Sequence, residues 1–303
     1  MFGSVDTFVD SLVENVDKRN VPDEIDLVLD VGMFGGVYTL GALMYVRALE
    51  RAKVLKVRRI SGASIGSVLG MLYLTDELER VMDVTHKEII PELRKCQSVN
   101  TFKELLRGVT NVDISQNVYR DLYVSYRDGK ECKLVVKQGF DDYEDMLETI
   151  TRSCFVPWLT GDDMTHPGGY FDGLTPHLFR DKERPSLFVS ANTKTLFAST
   201  LSIANEKNLW HRLLHGVEDT HSFFSKARGK RSDICSYVGD WSAVDMVVFR
   251  GRDVLALIVY IMVMARDWLK RNLPDGVKDN VIVNRGGEMI GRLFRDFIFI
   301  WMY

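Results

Sequence analysis

A chain of 303 residues, 46% of them hydrophobic, can build a continuous core, which excludes a disordered protein. Its 39 Lys and Arg against 42 Asp and Glu leave a formal charge of -3, so no global positive field exists to hold a nucleic-acid backbone. Four scattered cysteines, Cys96, Cys132, Cys154 and Cys235, form no C-x-x-C pair, which argues against a disulfide framework or a zinc knuckle and suits a reducing compartment.

The N-terminal stretch sets Asp6, Asp10 and Glu14 among apolar residues and lacks the basic start and apolar block of a secretion signal. It reads as an amphipathic helix. A turn at 21–24 leads to a buried strand over 25–30, and the strand ends on a loop holding Gly32, Gly35 and Gly36. Val37 to Arg51 follows as a helix apolar on most of its circumference. The same order repeats: a strand over 53–60, the G-x-S-x-G turn Gly62-Ala63-Ser64-Ile65-Gly66, and a small-residue helix from Ser67. Two β-loop-α units in succession imply a largely parallel sheet.

Helices are expected over 76–93, 101–106 and 115–126, a strand over 133–137, and an acid-started helix over 142–152. Ser153 to Leu159 reads as an apolar loop, 168–173 as an aromatic strand ending in the Asp172-Gly173 turn, and 186–190 as a buried strand with 195–201 as its partner. From Lys207 the chain reads as helical: 210–224, then 244–273 and 288–300. The apolar run 254–265 lies between Asp253 and Arg266, short of the about 20 apolar residues that a spanning helix needs. The basic loop 226–231 reads as a solvated turn, and the apolar end 297–303 as an element docked into the core. The whole is expected to be one domain over 1–303.

Ester cleavage needs a nucleophile, a base and donors for the oxyanion. A strand-to-helix turn between glycines exposes Ser64 on a strained backbone, the setting of a nucleophile. Asp172, where a strand turns through Gly173, can project into a cleft as the base. The glycine loop at 32–36 aims N–H groups and a positive helix end at an anion.

These three stretches, in this order, resemble the patatin-like phospholipases, with Asp30 to Gly36 as the oxyanion loop, Gly62 to Gly66 as the elbow and Asp172-Gly173-Leu174 as the acid motif. Gly41-Ala42-Leu43 and the 153–157 segment also resemble parts of that family, and the likeness runs over about 25–205. It implies a three-layer α/β/α fold with a mainly parallel sheet and a helical C-terminal third. It also implies lipid acyl hydrolysis by a Ser64-Asp172 dyad, with Gly32, Met33, Phe34 and Ile65 around the oxyanion, Gly35, Gly36, Gly62, Gly66 and Gly173 supporting the turns, and no metal or cofactor. The partner would be a lipid at a membrane or lipid-droplet surface, and the setting intracellular, cytoplasmic or peripheral to a membrane.

The chain departs from the family pattern at Val31 and Met33, at Gly35 where a basic residue is usual, and at Leu174, a milder change in place of a small residue. These departures keep a second reading open, a weakly active or inactive lipid- or partner-binding protein. The loop is not G-x-G-x-x-G, which weakens a dinucleotide site. His211, His215 and His221 read as ordinary helix residues, with Arg212 where a zinc helix needs glutamate.

Overall fold

The computed structural model describes residues 2–32, 35–79, 103–104, 106–108, 116–131, 133–156, 169–179, 183–191, 209–226, 231–272, 289 and 293. Among the described residues a seven-stranded sheet forms the middle layer. Its core strands are β1 (Glu24–Leu29), β2 (Lys56–Ala63), β3 (Leu122–Asp128) and β6 (Ser186–Val189), all parallel in the order β3-β2-β1-β6. Antiparallel strands extend it on both sides: β4 (Lys133–Lys137) beside β3, and β7 (Cys235–Tyr237) beside β6. The three-residue β5 (Tyr170–Asp172) also pairs antiparallel with β3.

The pleat of β1 sorts its residues onto two helical layers, since successive side chains point to opposite faces. Leu27 and Leu29 join the main core beneath α1 (Phe2–Glu14), α2 (Gly36–Arg51), α3 (Ile65–Leu74) and α6 (Trp210–Ser225). Val28 faces the other way, with Leu178, Phe179, Phe188 and Phe249 of the long helix α7 (Ala243–Asn272). Ile25, Leu27, Val28 and Leu29 are fully buried, as a central parallel strand covered on both sides must be. The fold is the three-layer α/β/α architecture anticipated above.

Local chemistry accounts for the helices. Val5, Val9 and Val13 recur every four residues on α1 and are buried. Asp142 caps α5 (Tyr143–Ser153), its carboxylate accepting from the Asp145 N–H at 2.8 Å, with Glu144 and Asp145 in the first turn. Helices α2 and α6 cross backbone to backbone. A Cβ on Gly41 would lie 2.0 Å from the Leu213 carbonyl oxygen, and one on Gly216 would lie 2.1 Å from that of Tyr38.

Two expectations change. The segment read as a helix over 115–126 is a short α4 (Gln116–Asp121) running straight into β3. The alternation around Tyr123 and Tyr126 belongs to a strand paired with β2, and tertiary pairing overrides local propensity there. The region from 207 onward is not purely helical, because β7 closes one edge of the sheet; three residues are too short to announce a strand by pattern. Most of the helix expected over 76–93, the strand over 195–201 and the end at 297–303 lie outside the described residues.

Candidate active site

The parallel strands end together, and the chemistry gathers at their carboxyl edge, where open α/β sheets place their sites. Asp30 follows β1, Ser64 follows β2 and Ser190 follows β6.

Ser64 sits at φ +52°, ψ −130°, a left-handed conformation rare for a residue with a Cβ. Its neighbours explain how the turn is held. A Cβ on Gly62 would lie 2.5 Å from the Gly66 backbone, and one on Gly66 would lie 2.4 Å from the Leu29 carbonyl oxygen. Only glycine permits α3 to start this close to β1 and β2. Strain of this kind costs on the order of 1–3 kcal/mol and persists where surrounding contacts over-determine it.

The placement of Asp172 follows from strand register. Ala63, the last residue of β2, pairs with Ser125 of β3, and Asp172, the last residue of β5, pairs with the adjacent Tyr126. β2 and β5 therefore meet end to end along one flank of β3, bringing Ser64 and Asp172 to the same gap. Gly173 presses on this junction: a Cβ there would lie 2.5 Å from the Ser125 carbonyl oxygen.

The end of α5 clamps both groups. The Ser64 N–H donates to Ser153 Oγ at 2.8 Å, and that hydroxyl donates to the Ser125 carbonyl at 2.7 Å. Two residues on, the Phe155 carbonyl accepts the Asp172 N–H at 2.7 Å. Between them the buried Cys154 thiol is held protonated, pushed up by burial and by Asp172 against the lowering influence of Ser67 and Ser64. The 153–155 segment therefore spans Ser64 and Asp172.

Burial pushes the Asp172 carboxyl up to about 7, against the lowering effects of the Leu174 N–H, the Ser64 hydroxyl and Arg127; Asp30 adds a raising effect. The Leu174 N–H donates to Oδ1 at 2.8 Å. Oδ2 is buried without a closed hydrogen bond, so the Ser64 hydroxyl influences the carboxyl from a position short of full bonding geometry. Resting serine-base pairs commonly tighten only when substrate binds. Leu174 is not the mild replacement expected. It lies at φ +59°, where the Cβ of leucine is strained and a glycine would not be.

Two helix N-termini converge beside Ser64. Gly35 stands at the start of α2 with no side-chain cap, and a Cβ on Gly36 would meet Ile65 Cγ1, at the start of α3, at 2.7 Å. Both helices direct positive ends and unpaired first-turn N–H groups to this place. The Gly35 N–H is already given to the Gly32 carbonyl at 2.6 Å, and the Ser64 N–H to Ser153. Among the described candidates this leaves the N–H groups of Gly32 and of Ile65, the first residue of α3. None of Val31, Gly32, Gly35 and Gly36 takes a positive φ, so the valine is compatible with the loop. Met33 and Phe34 lie outside the described residues.

Charged residues absent from the sequence-level prediction tie α7 over this edge. Arg252 pairs with Asp30 at 2.5 Å, and Ser190 Oγ donates to the same carboxylate at 2.6 Å. Asp253 accepts from buried Arg127 at 2.5 Å and from Thr175 at 2.9 Å. Their only signal in the sequence is an Arg-Asp pair opening an otherwise apolar stretch of helix.

Comparison with known proteins adds a distant relative. No family model matches the chain. Over 161 residues it is 27% identical to omega-hydroxyceramide transacylase of Homo sapiens. The match covers 48% of this chain and 30% of that protein, so the chain spans less than a third of the relative's length. The relative is, by its name, a lipid transacylase.

His215 and His221 stand elsewhere, on α6. His221 is hydrogen-bonded to the Tyr45 hydroxyl at 2.9 Å and His215 packs edge-on against Tyr38, both at the α2–α6 contact. His215, Asp219 and Asp233 bring ligand atoms within 4.8 Å of one another. However, the Asp219 carboxylate already accepts from Ser232 Oγ at 2.6 Å and from the N–H groups of Asp233 at 3.0 Å and Ile234 at 2.9 Å. That carboxylate serves as the cap of a loop, with three of its roughly four acceptor sites in use.

Proposed function

We propose that this chain is a serine lipid acyl hydrolase of patatin-like type, a single domain working at a membrane or lipid-droplet surface inside the cell. The reading rests on one observation above the others: the end-to-end approach of β2 and β5 on β3, which sets a strained serine beside a buried carboxyl. Ser64 Oγ attacks the acyl carbonyl while its proton passes to Asp172. The oxyanion receives the Ile65 N–H, N–H groups of the 32–34 loop and the positive ends of α2 and α3. Asp172 then gives its proton to the departing alkoxide as the C–O bond breaks, leaving an acyl-serine. It next takes a proton from water, whose oxygen attacks the acyl-serine, and as the acyl–Oγ bond breaks Asp172 gives that proton to Ser64 Oγ, releasing the fatty acid and restoring Ser64. A base near 7 suits this exchange, because about half of it is ionised at neutral pH and it still returns a proton readily.

The name of the distant relative favours a second acceptor, a lipid hydroxyl in place of water, with acyl transfer as the outcome. The same residues serve both routes, and the acceptor decides the product.

The test is covalent labelling. A fluorophosphonate should modify the native protein at Ser64, and ester turnover should vanish in Ser64→Ala and in Asp172→Asn. Well-folded protein that takes no label would replace the enzyme reading with the lipid- or partner-binding one. Product analysis with an acylglycerol, with and without a long-chain alcohol, separates hydrolysis from transfer.

A further inference from the structure

At the exposed start of helix α7 Asp245 meets Arg231 at 2.8 Å, and farther along Arg252 on Asp30 and Asp253 on Arg127 hold one side of the helix to the protein. Phe249 and Ala256 are buried on the same side, and Tyr260 stacks on Phe171 with ring centroids 6.0 Å apart. The opposite side is apolar and open: Val247 is 71% exposed, Val254 59%, Ile258 46%, Ile261 56% and Trp268 64%. Spacings of three, four and seven place these residues on one stripe of a helix about 45 Å long. Contiguous exposed apolar surface of this extent marks an interaction site.

We infer that the outer face of α7 is the surface by which the protein docks on a lipid layer, lying in the interface rather than crossing it. This inference rests on the reading of the chain as a lipid-acting enzyme. Among the described residues no helix is long and apolar enough to span a membrane. Three features select lipid over a second protein. The stretch 254–265 carries no charge, and the sequence that follows it, 266–271, is net basic, a composition suited to an anionic lipid surface. Trp268 on the stripe has the amphipathic ring favoured at the boundary of acyl chains and head groups. The helix also lies against the site: on its inner side Tyr260 covers Phe171, which immediately precedes Asp172, so a layer docked on the outer side of α7 is brought close to the dyad.

The experiment uses the full chain with Ser64→Ala, so that binding is read without turnover, in flotation with phosphatidylcholine vesicles with or without phosphatidylserine. Binding should occur, strengthen with phosphatidylserine, and fall at least about tenfold when Val254→Glu, Ile258→Glu and Ile261→Glu are combined. Bromine-labelled lipid should quench tryptophan emission, and less so in Trp268→Phe. In the otherwise wild-type enzyme the triple change should spare cleavage of a soluble short-chain ester while abolishing that of vesicle lipid. Unchanged flotation of the triple variant would overturn the inference. So would conversion of a dimer to a monomer by the triple change, or a loss of thermal stability revealing a covering segment of the chain itself. If the wild type cleaves no soluble ester yet floats through α7, the catalytic reading fails and the docking surface stands.

Discussion

The most exacting prediction concerns Asp172→Asn, because it separates a buried, perturbed carboxyl from an ordinary surface one. The native group titrates near 7, whereas its unfolded value is 3.8. Between those values the folded state holds a proton that the unfolded state has released, so stability falls as pH rises through this window. At 1.36 kcal/mol per unit, the full gap of 3.2 units corresponds to about 4 kcal/mol lost by the time both states are ionised. Linkage puts about 1.7 kcal/mol of that loss before pH ~5 and about 2.6 kcal/mol between pH ~5 and ~8. Asparagine removes the titration. It also places an amide N–H₂ where Oδ2 has no partner, a cost on the order of 1–3 kcal/mol that does not vary with pH. The sensitive quantity is therefore the melting-temperature difference between variant and wild type at the two pH values. It should shift in the variant's favour by roughly 4–8 °C from pH ~5 to ~8. A constant difference across that range would refute a carboxyl buried and raised as described.

The same titration sets the pH profile of turnover: as a base Asp172 must be ionised, so kcat/KM for a soluble ester should rise through pH ~7 to a plateau. Ser64→Gly should melt higher than Ser64→Ala by an equivalent of about 1 kcal/mol, because glycine accepts φ +52° and alanine does not. Ser153→Ala removes the hydroxyl that joins the Ser64 N–H to the Ser125 carbonyl; denaturant titration should show a loss of about 2 kcal/mol, with labelling of Ser64 by the fluorophosphonate slowed. Arg252→Met strips a buried carboxylate, Asp30, of its counter-charge and should cost about 3 kcal/mol in the same titration.

The first half of the fold is legible from sequence where structure is written locally. β1, α2, β2 and α3 each carry their own pattern and punctuation, and the elbow at Ser64 is flanked by the two glycines that its close packing demands. β3 is not legible in this way, because α4 feeds it without a turn residue and its place in the sheet comes from pairing with β2, far back in the chain. The site divides in the same manner. Ser64 and Asp172 sit at punctuated turns and can be picked out, whereas Ser153, Cys154, Arg127 and Arg252 gain their roles only by long-range packing. A serine at the end of an amphipathic helix has no local mark that distinguishes a clamp from a solvated cap.

The ion pair from Arg252 to Asp30 also bears on the order in which the protein is made. Its partners are 222 residues apart, and the Asp253–Arg127 pair closes a loop of 126. A ribosome will have delivered both β-loop-α units, the elbow and the acid turn well before either arginine finds its carboxylate. Until then Asp30 is a charge without its cationic partner at the carboxyl edge of the sheet, and Arg127 is likewise unmatched. Closure over such distances slows folding, because the loop entropy must be met before the contact repays it. The nascent chain thus has the Ser64 elbow early and the groups that tie α7 over it late. The carboxyl edge of the sheet is complete only when α7 has emerged and docked.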